Sequence, residues 1–147
     1  MRLRSTKTFC RKGLLTMTDI EYHLTNGKEV TKMLKKNHAD QERVDIDGYG
    51  MWWGAYDNGK LIGCCGARIV GQTTLRIKGL FVAKEYRGQG IGSKLTDWAL
   101  GGAVFIFTPK RITAFATDMS KPIFEKCGLL LDHTNKNGIH FMKKEVA

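Results

Sequence analysis

Near the middle of the chain, Arg87-Gly88-Gln89-Gly90-Ile91-Gly92 has the composition of an anion cradle. It stands between an apolar run, Leu80-Phe81-Val82, and a stretch of helical periodicity that begins Ser93-Lys94-Leu95. The chemistry of such a segment is backbone chemistry. The first N–H groups of a helix have no internal partner and carry the positive end of its dipole. Glycines let an anion approach that backbone closely, and a pyrophosphate lodged there gathers several N–H bonds at once. Arg87 adds charge and shapes the loop. Two other phosphate loops fit less well. A Walker A loop needs Gly-Lys-Ser/Thr, which is absent here. A dinucleotide fingerprint needs Gly-x-Gly-x-x-Gly at the opening of a βαβ unit, and this spacing differs.

The elements that position the loop are legible from pattern. Ile20, Tyr22 and Leu24 alternate with Glu21 and His23, predicting a half-buried strand. Asn26 with Glu29 forms a capping-box pattern ahead of Val30, Met33 and Leu34, whose spacing predicts a short amphipathic helix. Residues 37–50 read as a polar loop with at most one helical turn. Met51 to Tyr56, Leu61 to Val70 and Thr73 to Val82 read as an antiparallel meander. Its turns fall at Asp57-Asn58-Gly59-Lys60 and Gly71-Gln72. After the glycine loop, Ile91, Leu95, Trp98 and Ala99 begin a helix stripe that Gly102, Phe105 and Ile106 continue. Gly101-Gly102 offers an alternative helix end, but the unbroken phase favours a helix to about Phe107, stopped before Pro109. Arg111 to Thr117 is a strand with Ile112, Ala114 and Ala116 on one face. Ser120 or Asp118 then caps a short helix, with Pro122 in its first turn and Gly128 after its end. Leu129 to Asp132 and Ile139 to Lys143 are final strands around the turn Asn135 to Gly138.

These residues carry a resemblance to a known family. The run Leu80 to Leu95 resembles motif A of the GCN5-related N-acetyltransferases (GNAT), with its core at Arg87, Gly90 and Gly92. Thr117-Asp118-Met119-Ser120-Lys121-Pro122-Ile123-Phe124-Glu125-Lys126-Cys127-Gly128-Leu129 resembles motif B. The order of elements from Ile20 to Lys143 fits the same fold. The resemblance implies an α/β (α+β) architecture: a mixed, mostly antiparallel sheet of about 6–7 strands with about 4 helices on its two faces. It implies acetyl-coenzyme A as co-substrate and no metal. Backbone at Leu80, Phe81 and Val82 would hold the pantetheine arm and the acetyl carbonyl. The amides of Arg87, Gly88, Gln89, Gly90, Ile91, Gly92 and Ser93 would take the pyrophosphate. The strand Arg111 to Thr117 would splay from Thr73 to Val82, with the cofactor in the gap beside Thr117 and Phe124.

Two departures from the family pattern bear on mechanism. The motif B Tyr, which can protonate the leaving thiolate, is Phe124 here and has no proton to give. Ser120 and Thr117 offer hydroxyls nearby, although Ser120 also suits a plain helix cap. Many relatives place an acidic base late in the fourth strand. This chain has Arg76 and Lys78 there, sharing one face, either toward an acceptor or toward solvent. Glu21, His23, Asp45, Asp47 and His140 are further base candidates that the sequence does not rank. Tyr49, Trp52, Trp53 and Tyr56 read first as core, and alternatively as a platform for a flat ring.

Composition bounds the remainder. The chain has 147 residues, suiting one domain at 17–147 behind a basic extension at 1–16, with Met17 an alternative start. No apolar run approaches the roughly 18–20 residues of a membrane span, and the basic N-terminus has no secretory core. Cys10, Cys64, Cys65 and Cys127 lack paired or zinc-ligand spacing, which fits a cytoplasmic protein with small buried thiols. Cys64 and Cys65, adjacent on a strand, point to opposite faces. The net charge of +10 attracts anions: coenzyme A phosphates, nucleic acid or an acidic partner. Three readings follow: an N-acetyltransferase acting on an amine, a nucleic-acid-modifying enzyme of the same fold, or a decayed coenzyme A-binding module.

Overall fold

The computed structural model describes residues 3–4, 19–37 and 50–146. Asp45, Asp47, Tyr49, Cys10 and most of the basic extension lie outside the described residues.

Among the described residues eight strands form one sheet: β1 (Leu3–Arg4), β2 (Ile20–Thr25), β3 (Gly50–Asp57), β4 (Lys60–Val70), β5 (Thr74–Val82), β6 (Arg111–Ala116), β7 (Leu130–Thr134) and β8 (His140–Glu145). Their order across the sheet is β1-β2-β3-β4-β5-β6-β8-β7. Every pairing is antiparallel except β5 with β6, which is parallel. Among the described residues there are three α-helices, α1 (Gly27–Lys36), α2 (Ile91–Phe107) and α3 (Lys121–Lys126), and a 3-10 turn at Lys84–Tyr86. The expected α/β class and mostly antiparallel sheet are therefore present, with the parallel pair in the middle, where α2 makes the crossover that such a pair requires.

Local chemistry explains the meander. Asn58 and Gly59 both have positive φ, the conformation of a two-residue hairpin whose twist matches its strands, so Asp57 pairs directly with Lys60. The Asn26 side chain accepts a hydrogen bond from the Glu29 N–H at 3.0 Å and starts α1 as the capping pattern predicts. Val30, Met33 and Leu34 then bury one helix face against Trp52, Cys64 and Phe81. On the opposite sheet face α2 buries Leu95, Ala99 and Ala103 against Trp53, Cys65, Ala67, Leu75 and Ile77. Cys64 and Cys65 thus enter separate cores, as strand alternation requires. Burial pushes the Cys65 thiol up to about 12, so it behaves as a small apolar group.

The glycine pair in α2 does not end the helix. A Cβ at Gly102 would stand 2.6 Å from Cζ2 of Trp53, so this position is small because the helix lies against an indole. The helix ends at Thr108, which turns left-handed one residue before Pro109. β2 departs from simple alternation: Glu21 is buried and Leu24 is half exposed. Leu24 lies near the end of β2, beyond the packed core, while Glu21 is enclosed between register partners on β1 and β3.

Candidate active site

The site is built where β5 and β6 separate. Their parallel pairing runs from Thr74↔Arg111 to Ile77↔Ala114 and then stops. β6 continues on its other edge, paired with β8 as far as Ala116↔His140. A bulge in β5 accounts for the divergence. Cys64 of β4 pairs with Phe81 and Gly66 pairs with Lys78, so β5 spends one extra residue over that interval. Gly79 sits there with φ +64, a conformation glycine adopts at little cost, and its carbonyl accepts a contact from Cys64 Sγ at 3.3 Å. The bulge bends β5 away from β6, and among the described residues the edge of 78–82 facing β6 has no strand partner.

The glycine loop closes one end of this wedge. After β5, the Ala83 N–H donates to the Ile62 carbonyl at 2.8 Å, and the 3-10 turn carries the chain to Arg87. Tyr86 donates its hydroxyl to Asp57 at 2.5 Å, tying the turn to the end of β3. That hydrogen bond is the main reason the Tyr86 phenol is held above its ordinary range. Arg87 folds back over the strand: Nε donates to the Val82 carbonyl at 2.8 Å, and the guanidinium lies 5.5 Å from the Phe81 ring centroid. Gly90 is the N-cap of α2, in the left-handed region at φ +82, and no side chain caps the helix. The Lys94 N–H is the donor to Gly90, so the amides of Ile91, Gly92 and Ser93 precede the helical ladder. A Cβ at Gly92 would lie 3.2 Å from Ile123 of α3, so small size there also seats α3 beside the loop.

The opposite wall is the β6–α3 connection. The Thr117 N–H donates to Ser120 Oγ at 2.9 Å, the Ser120 N–H donates to Thr117 Oγ1 at 3.3 Å, and the two hydroxyls are 3.2 Å apart. Ser120 holds the N-cap position of α3, but its side chain bonds backward to Thr117 rather than forward into the helix. Phe124 is buried in the core shared with α2. His140 is tied at both nitrogens, Nε2 lying 2.6 Å from Asp118 Oδ1 and Nδ1 2.8 Å from Thr134 Oγ1. It anchors the connection to β8.

The other sequence candidates fall elsewhere. His23 stacks on Tyr56 with centroids 4.2 Å apart, on β2 and β3, far along the sheet from the wedge. Glu21 is also on β2. Trp52 and Trp53 are buried on opposite faces, so neither ring is an open stacking platform. Arg76 and Lys78 lie on the face opposite α2, beside the wedge: Lys78 Nζ is 5.6 Å from the Trp52 ring centroid, and the Arg76 guanidinium is 4.9 Å from that of Phe115. A separate cavity of about 800 Å³, lined by Tyr22, Trp53, Trp98 and Gly101 among others, opens on the α2 side away from the loop. Sequence reasoning missed Gly79, Asp57 and Asp118. A glycine inside a strand run is a bulge signal, and it was the available clue to the first of these.

A mixed sheet split by a bulge, with a glycine-rich helix start at the split, is the architecture that the motif resemblance implies. The chain belongs to the acetyltransferase (GNAT) family, whose model matches residues 17–128. Members of this family use acyl-coenzyme A as the donor. The fold is similar to that of Escherichia coli ElaA (TM-score 0.70, 15% identity, covering 86% of this chain and 99% of that one). It is similar also to an acyl-CoA N-acyltransferase from Pseudomonas aeruginosa (TM-score 0.70, 14% identity, covering 85% and 99%). A GNAT-family acetyltransferase from Streptococcus pneumoniae gives a TM-score of 0.70 at 14% identity, covering 87% and 99%. No curated protein matches by sequence. No helix among the described residues is long and apolar enough to cross a membrane.

Proposed function

We propose that the protein is an acetyl-coenzyme A-dependent N-acetyltransferase that transfers the acetyl group to an amine by direct attack on the thioester. The observation that carries this reading is the coincidence of the β5–β6 wedge with the uncapped N-terminus of α2. A thioester arm needs an open strand edge, its pyrophosphate needs unpartnered amides, and the chain provides the two side by side. In this reading the amides from Arg87 to Ser93 hold the pyrophosphate, and Arg87 keeps the loop folded over the end of β5. The backbone of Leu80 to Val82 orients the pantetheine arm and polarises the acetyl carbonyl.

The reaction then needs little beyond positioning. The amine lone pair attacks the carbonyl carbon, the C–N bond forms and the C–S bond breaks with its electron pair going to sulfur. The proton lost from nitrogen passes to solvent. Phe124 cannot protonate the thiolate, and in this reading the Thr117–Ser120 hydroxyl pair at the end of β6 is the donor. Mass spectrometry of amine acceptors incubated with acetyl-coenzyme A tests the reading. Acetylated product that depends on the protein supports it. Coenzyme binding with no transfer to any amine, or to water only, contradicts it in favour of a binding module.

A further inference from the structure

The last stretch of α2, Trp98-Ala99-Leu100-Gly101-Gly102-Ala103-Val104-Phe105-Ile106-Phe107, carries no charged, amide or hydroxyl side chain. A surface helix ordinarily keeps a polar face, and one that is apolar all round is covered on every side. The core takes up Ala99 and Ala103 fully and Trp98, Leu100, Val104 and Phe107 in part. That leaves Phe105, which is 85% exposed, and Gly101, exposed one turn earlier on the same stripe. In a chain of net charge +10, a stretch without a charge is also a poor surface for nucleic acid.

Beside this stripe runs an apolar trough. α2 lies along β2: Trp98 stacks on Tyr22 with ring centroids 6.4 Å apart, and Gly102 lies against Trp53, the register partner of Leu24. The cavity of about 800 Å³ fills the angle between helix and strand, with Trp98, Gly101 and Gly102 on one wall and Leu24 on the other. Leu24 and Ile106 are each about half exposed. A Cβ at Gly101 would meet nothing within 4 Å among the described residues, so the helix wall is notched there. A concave apolar trough and a projecting apolar ring thus belong to one surface of one chain.

We infer that this surface pairs with a second copy of the chain across a two-fold axis, Phe105 of each copy entering the other's trough at Gly101. A two-fold contact requires a self-complementary patch, in which residue i meets residue j and j meets i. Phe105 and Gly101 meet that requirement. With the two α2 helices antiparallel and the axis at the level of Ala103, midway between them, each Phe105 falls opposite the partner's Gly101. A flat bilayer would touch the projecting ring and leave the trough empty. A membrane span also needs roughly 20 apolar residues, far more than Trp98 to Phe107 supplies. The contact is small: this stretch rises about 15 Å, and a strip of that length and about 10 Å width stays below the roughly 1,600 Å² of a standard stable interface. The pair is therefore reversible, half formed at roughly 10–100 μM.

Sedimentation velocity on the full chain, from about 1 μM to about 1 mM so as to bracket that range, tests the inference. The weight-average mass of the wild type should climb from one chain toward two and no further. Phe105→Glu should move the midpoint upward by about ten-fold or more, as loss of a central aromatic anchor does. Gly101→Leu should weaken pairing comparably even though it adds apolar surface, because it fills the notch. Phe105 is exposed and a side chain at Gly101 meets open space, so circular dichroism of both variants should match the wild type. A wild type that stays monomeric throughout overturns the inference, and uptake of that monomer by phosphatidylcholine vesicles would assign the face to a membrane surface instead. So does pairing that Phe105→Glu leaves unchanged, or growth beyond two copies. Gly101→Leu that associates as strongly as the wild type also overturns it, since general stickiness rather than a fitted contact would then be at work.

Discussion

Arg87 Nε donates to the carbonyl oxygen of Val82 at 2.8 Å, so the residue that opens the glycine loop is fastened to the strand that precedes it. The same side chain lies over the Phe81 ring. Its role is to hold the loop shape as well as to add charge. Arg87→Ala should weaken coenzyme A binding about ten-fold, the scale of one charge-assisted hydrogen bond. Arg87→Lys should recover only part of this, because an ammonium keeps the charge but not the planar fork. Calorimetry on the three proteins decides it, and full recovery by Lys would mean that charge alone matters.

Two adjacent glycines in α2 should respond to alanine with opposite signs. A Cβ at Gly101 meets open space, so Gly101→Ala gains helix propensity and should stabilise by about 0.5–1 kcal/mol. A Cβ at Gly102 would press on the buried Trp53 ring, and overpacking of about 1–3 kcal/mol outweighs the same gain. Urea denaturation of the two variants should move the midpoint in opposite directions.

The hydroxyl pair at the end of β6 gives a kinetic prediction. In the double variant Thr117→Val, Ser120→Ala, kcat should fall by about a hundred-fold, the lower end of general-acid effects, with coenzyme A affinity little changed. Unchanged turnover would mean that the thiolate takes its proton from water.

Stability should decline on the alkaline side through buried protonated groups. Burial raises Cys65 to about 12 and Tyr22 to about 12, against ordinary values of 9.0 and 10.0. The folded state holds these protons more tightly than the unfolded chain. Their contribution is complete below the unfolded values and is lost as pH rises from about 9 toward 12. Cys65→Ala should flatten that limb relative to the variant's own stability at neutral pH. In the native protein the Cys65 thiol should resist alkylation until the protein unfolds.

Much of this architecture was legible in local pattern. Asn58-Gly59 dictated a hairpin, Asn26 with Glu29 dictated a helix start, and the glycine spacing after Val82 dictated a tight loop at the start of α2. What escaped the sequence depended on partners distant in the chain. Strand alternation could not tell that Leu24 lies past the packed core, since that depends on where the helices pack. The run Thr73 to Val82 reads as a plain strand; Gly79 within it hints at a bulge, and the register of β4 locates it. Ser120 reads first as a plain helix cap and second as an acid, and its backward bond to Thr117 follows from the turn that β6 makes on leaving the sheet. Arg76 and Lys78 were seen to share a face, but only the fold shows that this face borders the wedge.

The central claim is that the Arg87 to Ser93 segment binds the pyrophosphate of coenzyme A. The direct measurement is a calorimetric titration of coenzyme A into the wild-type protein and into Gly90→Ala, whose methyl forces strain of about 1–2 kcal/mol on a left-handed position beside the ligand. The account expects one-to-one binding by the wild type that weakens in added salt and is at least several-fold weaker in the variant. No binding by the folded wild type at millimolar coenzyme A, or equal affinity in folded Gly90→Ala, would contradict it.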